Sequence, residues 1–198
     1  GDALRLLRLQ AARGGEGRLA AFGMGEAGLL TRALSPYLGA SLSFGAALEG
    51  GATAPGQALA SDLLDVYAVG RPRRVEALFA LLGGRVSHSV SPAIHNGRFE
   101  ELGLPFLYVP AALGSLGKEI GPLRDALDEL GLPLRGASAT APFKEEAGAL
   151  AGVPGEARNT LLFAPDGSVA SANTDREALL AAVPPSREDG AALVLGAG

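Results

Sequence analysis

Ser87-His88-Ser89-Val90-Ser91-Pro92-Ala93-Ile94-His95-Asn96 sets three hydroxyls and two imidazoles at the start of a helix. Residues 77–83 just before it form an apolar run that predicts a buried strand, and Pro92 predicts the first turn of a helix over 92–103. Ser91 ahead of Pro92 would cap a helix in any protein. Capping explains that one serine and leaves Ser87, His88 and Ser89 without a role. Serine hydroxyls donate and accept hydrogen bonds, so Ser89 and Ser91 suit a small polyol ring or a carboxylate.

The pattern continues downstream. We expect strand 106–110, helix 115–130, strand 135–141, helix 143–151 and strands 158–164 and 168–172, an alternation that makes an α/β sheet. Upstream, a helix precedes the strand-like Arg18-Leu19-Ala20-Ala21-Phe22-Gly23-Met24-Gly25. A helix through Thr31-Arg32-Ala33-Leu34, a second strand and a helix ending near Tyr67 follow. Gly70-Arg71-Pro72-Arg73-Arg74-Val75 interrupts the apolar segments with proline and clustered charge, so we place a linker at 71–76.

Composition excludes several classes. The chain has 198 residues, 47% of them hydrophobic, which fits a globular protein rather than a disordered one. With no cysteine it has no disulfide scaffold and fits a reducing cytoplasm, and a net charge of −4 gives no support to nucleic-acid binding. We read no signal segment and no apolar run long enough to span a bilayer, so no membrane partner is expected. No carboxylate or cysteine stands at ligand spacing beside His88 or His95, so no metal is expected there.

From residue 78 onward the chain resembles the shikimate dehydrogenase family. Gly84 to Asn96 is similar to its Ser-x-Ser-Pro, His-Asn signature. Ala139-Thr140-Ala141-Pro142-Phe143-Lys144-Glu145-Glu146 resembles its Thr-x-Pro-x-Lys-Glu turn, and Asn159-Thr160-Leu161 and Asn173-Thr174-Asp175 follow in order. The resemblance implies Lys144 and Asp175 as the catalytic pair, and Ser89, Ser91, Thr140 and Asn159 as ligands for shikimate or 3-dehydroshikimate. It also implies NADP as cofactor, with Gly196 and Gly198 in Ala191-Ala192-Leu193-Val194-Leu195-Gly196-Ala197-Gly198 opening the dinucleotide-binding domain. The chemistry is consistent: oxidising a secondary alcohol removes a proton from oxygen while hydride leaves carbon, and a lysine beside a carboxylate can hold that proton. The structural alternatives are a solvated Lys144 in a first helical turn and Asp175 as an N-cap. Only Lys118 and Lys144 occur in a chain that otherwise uses arginine, which weakens the first. Ser138, Ala172 and Arg176 stand where the family has asparagine, aspartate and glycine, and Ser138 or Arg176 would mark a shift toward quinate.

In the first half, Gly23-Met24-Gly25-Glu26-Ala27-Gly28, Thr31-Arg32 and Thr53-Ala54-Pro55-Gly56-Gln57 resemble the C-terminal end of type I 3-dehydroquinate dehydratase, a (β/α)₈ barrel. The resemblance implies Arg32 as a carboxylate clamp, with Thr53 and Gln57 as hydroxyl partners for 3-dehydroquinate and Phe44 as an apolar wall. The lysine and histidine that the dehydratase uses have no counterpart here, so a fragment of a longer protein is expected. The expected organisation is therefore α/β throughout. The C-terminal portion of a barrel over 1–70 leads to a substrate domain over 77–183 and the first strand of a Rossmann domain over 190–198. The expected activity is NADP-dependent, reversible reduction of 3-dehydroshikimate to shikimate, in an enzyme that could form a homo-oligomer. The alternatives are a shikimate-binding fragment without turnover and a dehydrogenase acting also on quinate.

Overall fold

The computed structural model describes residues 1–16, 19–71 and 74–182. The expected Rossmann strand with Gly196 and Gly198 lies outside the described residues, as do Pro72 and Arg73 of the expected linker. Among the described residues six α-helices and five strands follow one another: α1 (Asp2–Arg13), α2 (Gly25–Leu34), β1 (Ala77–Gly83), α3 (Ser91–Glu101), β2 (Phe106–Ala112), α4 (Leu116–Glu129), β3 (Leu134–Ala139), α5 (Lys144–Leu150), β4 (Thr160–Phe163), β5 (Val169–Ala172) and α6 (Thr174–Ala182).

The strands form one sheet in the order β2-β1-β3-β4-β5. Strands β1, β2 and β3 are parallel, while β4 runs antiparallel to β3 and β5 antiparallel to β4. This is the mixed α/β sheet that the alternating pattern predicts, and β1 occupies the predicted residues 77–83. Its side chains are buried on both faces, as a central parallel strand requires. The chain moves from β1 to β2 on one side and then returns past β1 to β3. Right-handed crossovers therefore put the intervening helices on opposite faces. Leu116, Ile120, Leu123 and Leu127 of α4 cover Leu78, Ala80, Leu82, Leu107 and Val109 in the main apolar cluster. Phe99 of α3 packs in the smaller cluster, with Leu81, Tyr108 and Val86.

The first half folds differently from its expected barrel strands. Among the described residues, 19–24 form no strand, and the second expected strand is reduced to one bridge between Ala46 and Leu59. Their backbone groups are satisfied by side chains instead. Gln10 of α1, fully buried, accepts from Ala21 N at 2.7 Å and donates to the Leu19 carbonyl at 3.2 Å. The Thr31 hydroxyl accepts from Gly23 N at 2.7 Å, and the Ser35 hydroxyl donates to the Ala21 carbonyl at 2.7 Å. A strand needs a neighbour for its ladder, and the described residues supply none here. The expected helix near Tyr67 is present as a short π-helical turn, Asp62–Val66.

Helix α2 contributes Leu29 to the smaller cluster and Leu30, Ala33 and Leu34 to the main one, so it straddles the edge strand β2. An edge strand covered by a helix is closed to pairing with other chains. Leu7, Leu63 and Tyr67 join the same main cluster, so apolar side chains from before and after residue 71 meet in one core.

Candidate active site

Parallel β1 and β3 are neighbours, so the turns leaving their C-terminal ends emerge side by side. One is Gly84–Val90 and the other Thr140–Phe143. Antiparallel pairing brings the start of β4 and the end of β5 to the same edge, because Ser138 lies opposite Thr160 and Thr160 opposite Ala172. All four predicted motifs therefore converge on one end of the sheet. It is also the end where the strand order reverses, and open α/β sheets bind ligands in the crevice at that point. Thr140 approaches closely: a Cβ on Gly83 would stand 2.5 Å from its Cγ2, so the bare end of β1 makes room for this turn.

Lys144, the first residue of α5, donates from Nζ to Asp175 Oδ2 at 2.6 Å, a pairing across 31 residues. Both side chains are largely open to solvent, so the ion pair adds little to stability. It fixes the position of an amine. The hydrogen bond from Lys144 is the main cause holding the Asp175 carboxyl below its ordinary range; burial opposes it, and the Lys144 charge and Asn159 assist. Asn159 orders this corner: its Oδ1 accepts from Thr174 N at 3.0 Å and from the Thr160 hydroxyl at 3.1 Å. The cap of α6 is Asn173, whose Oδ1 accepts from Arg176 N at 3.0 Å, so Asp175 is free of the capping role its place suggested. Asp175 pairs with Lys144 rather than with its neighbour Arg176.

In the serine turn, Ser89 and Ser91 face one another. The Ser89 hydroxyl donates to Ser91 Oγ at 3.1 Å and accepts from Ser91 N at 3.2 Å. The two histidines of the motif differ in role. The His95 ring stacks on Tyr108 at 4.2 Å, with Nδ1 2.9 Å from the Ser91 carbonyl, while His88 lines a cavity. Asn96 is buried and exchanges two hydrogen bonds with the Tyr108 backbone, at 2.8 and 2.7 Å, which pins α3 to β2. Burial pushes the Tyr108 hydroxyl pKa up, with the Ser138 side chain opposing that push.

The three residues singled out in the first half do not form one cluster. Gln57 Oε1 accepts from Thr53 N at 2.8 Å and from its hydroxyl at 3.2 Å. Arg32 is buried elsewhere, its guanidinium 4.7 Å above the Phe22 ring and donating to the Phe44 carbonyl at 3.2 Å. Desolvation lowers its pKa. Its Nε is buried without a partner, and Phe44 packs edge-on against Phe22 at 5.8 Å. Gln57 instead shares a cavity of about 680 Å³ with Glu26, Asp62, Tyr67, His88 and Ser89, so one ligand expected from each half opens on the same space. Lys144 and Asp175 lie outside that cavity, on the open side of the sheet edge. Among the described residues no group of three histidine, cysteine or carboxylate side chains is placed to hold a metal ion, and no helix is long and apolar enough to cross a membrane.

Residues 81–160 match the shikimate dehydrogenase substrate binding domain, and residues 1–71 match type I 3-dehydroquinase. One polypeptide thus contains a segment similar to each family. A bifunctional 3-dehydroquinate dehydratase/shikimate dehydrogenase of Arabidopsis thaliana is 37% identical over 93 residues, covering 47% of this chain and 15% of the relative. The shikimate biosynthesis protein AroDE of Chlamydia pneumoniae is 30% identical over 123 residues, 61% of this chain and 24% of the relative. The shikimate dehydrogenase (NADP(+)) of Rubrobacter xylanophilus is 40% identical over 133 residues, 62% of this chain and 45% of the relative. The chain thus spans less than half the length of these relatives.

Glu26, in the stretch that matches type I 3-dehydroquinase, reaches the turn after β1 and accepts hydrogen bonds from Val86 N at 2.8 Å, Ser87 N at 3.0 Å and the Ser87 hydroxyl. The local signal was slight: an acidic residue in a helix's first turn is ordinary.

Proposed function

We propose that the sheet edge formed by β1 and β3 binds shikimate and 3-dehydroshikimate, and that the protein to which this chain belongs interconverts them with NADP. The observation that carries this reading is the Lys144–Asp175 contact of 2.6 Å, held beside the Thr140 turn at the edge where the serine turn also emerges. Ser89 and Ser91 bond the substrate carboxylate, each able to donate to an oxygen. Thr140 and Asn159 take ring hydroxyls. Lys144 hydrogen-bonds the reacting oxygen and steadies negative charge as its proton leaves; Asp175 holds the ammonium in place and keeps it charged. NADP, when bound, supplies or accepts the hydride. The exposure of Lys144 and Asp175 fits this, because a reacting carbon there keeps one face open to a nicotinamide.

The dehydroquinase segment is proposed to be the tail of a (β/α)₈ barrel. Met24, Leu42, Phe44 and Leu48 expose large apolar side chains in it, a surface that neighbouring barrel elements would cover. A shikimate-binding module without turnover is the second reading, since Lys144 and Asp175 lie outside the cavity onto which Ser89 opens. Calorimetric titration of the 198-residue chain with shikimate, alongside a Ser89→Ala variant and an assay of NADP reduction on the same sample, tests both. Saturable binding that depends on Ser89 supports the site, with the assay separating enzyme from binding module. Absence of binding overturns it. A parallel titration with quinate decides between the two ring acids.

A further inference from the structure

We propose that Glu26 is a positioning residue for the substrate turn, so that shikimate binding by the dehydrogenase segment depends on a side chain of the dehydroquinase segment. The inference rests on the shikimate reading above. The turn after β1 has left the ladder of the sheet, and its amides at Val86 and Ser87 need acceptors that no strand provides. Glu26, 60 residues away in sequence, supplies them: Oε2 accepts from both amides and Oε1 from the Ser87 hydroxyl. Both carboxylate oxygens are therefore committed to two consecutive residues of the turn. Burial alone would raise the Glu26 carboxyl; the bonds from Ser87 and Val86, with a smaller contribution from His88, outweigh it and hold it below its ordinary range. The turn closes on itself through Ser89 N to the Val86 carbonyl at 3.3 Å, so fixing Val86 and Ser87 fixes where the Ser89 hydroxyl points.

Glu26 is held in turn by its own segment. Gly25, at φ +71°, donates its N–H to the Pro55 carbonyl at 2.7 Å, which ties the start of α2 to the loop carrying Thr53 and Gln57. A continuous path of hydrogen bonds thus runs from that loop to Ser89, along the wall of the cavity onto which Gln57 and Ser89 both open.

The test compares Glu26→Gln, Ser87→Ala and the double variant of the full chain by calorimetry with shikimate and by amide proton spectra. A carboxamide offers one acceptor oxygen and turns an N–H₂ toward donors, so Glu26→Gln should weaken shikimate about tenfold, with the Val86 and Ser87 amide resonances moving upfield. Ser87→Ala keeps both backbone bonds and the fold, and should weaken binding about threefold in the parent but have almost no further effect in Glu26→Gln. Unchanged affinity in Glu26→Gln, with the amide resonances moved, would overturn the positioning role while leaving the shikimate site standing. Failure of the parent chain to bind shikimate, with the resonances still responding to Glu26→Gln, would overturn the site and this inference together.

Discussion

Residues 19–24 and 77–83 are both short apolar stretches leading toward a helix, yet only the second is a strand. β1 has β2 on one side and β3 on the other, and its backbone groups are spent in two ladders. Residues 19–23 find no strand and lean on Gln10, Thr31 and Ser35. A pattern of apolar residues specifies which face of a segment is buried, but a ladder also needs a partner with free backbone groups at the right spacing. The region after residue 76 contains its own partners, and the region before residue 71 borrows side chains. It follows that the first region should fail by loss of single side chains, and the second by loss of contacts between elements.

The largest expected effect lies in the second region and concerns chemistry. In any form of the protein that turns over shikimate, Lys144→Ala should lower kcat by about 10²–10⁴-fold while sparing most of the binding, if the amine acts on the reacting oxygen as proposed. Steady-state kinetics would show it, and unchanged kcat would remove Lys144 from the mechanism. Next is Gln10→Ala, which strands the Ala21 N–H and the Leu19 carbonyl and should cost about 2–3 kcal/mol. In hydrogen exchange the loss should concentrate in α1, α2 and residues 19–24 and spare β1 and β3. A uniform loss would mean that the shared core makes the two regions one cooperative unit. Asn96→Ala makes the opposite test, removing both bonds to the Tyr108 backbone at a cost of about 2 kcal/mol, read from denaturant melts and from faster exchange in α3 and β2.

The smallest effect is in acid. Because Lys144 holds the Asp175 carboxyl below its ordinary value, the contact is present above that value and is lost only as pH falls through the lowered one. The carboxyl carbon shift of Asp175 should titrate below 3.8, and in Lys144→Ala its midpoint should rise toward 3.8. An equal midpoint in the two proteins would show that the pair is not formed in solution.

The same contrast explains what could be read from the residues. The strand at 77–83, the helix after Pro92 and the strands flanking the Lys144 turn were legible because hydrophobic period and breakers are local. The pairing of Lys144 with Asp175 was implied by the family resemblance, and the sheet realises it because β3 and β5, joined through antiparallel β4, end at the same edge. Glu26 was illegible: its partners lie 60 residues away, and nothing near it distinguishes it from an ordinary acidic residue at a helix start. Arg32 was legible as an important cation but not as one stacked over Phe22, because that position depends on how α2 sits against residues 19–24. Ser138 and Arg176, conspicuous as departures from the family pattern, are accommodated without disturbing the pair. Ser138 pairs with Thr160 in the ladder between β3 and β4, and Arg176 lies in the first turn of α6 after its Asn173 cap.

Amide and side-chain chemical-shift mapping with added shikimate is the most direct test of the site itself. Perturbations should gather at Ser89, Ser91, Thr140, Lys144 and Asn159, which come from separate stretches of sequence and share only the sheet edge at the ends of β1 and β3. Perturbations confined to Arg32, Thr53 and Gln57, or no saturable change at any of these residues, would contradict the placement of the substrate there.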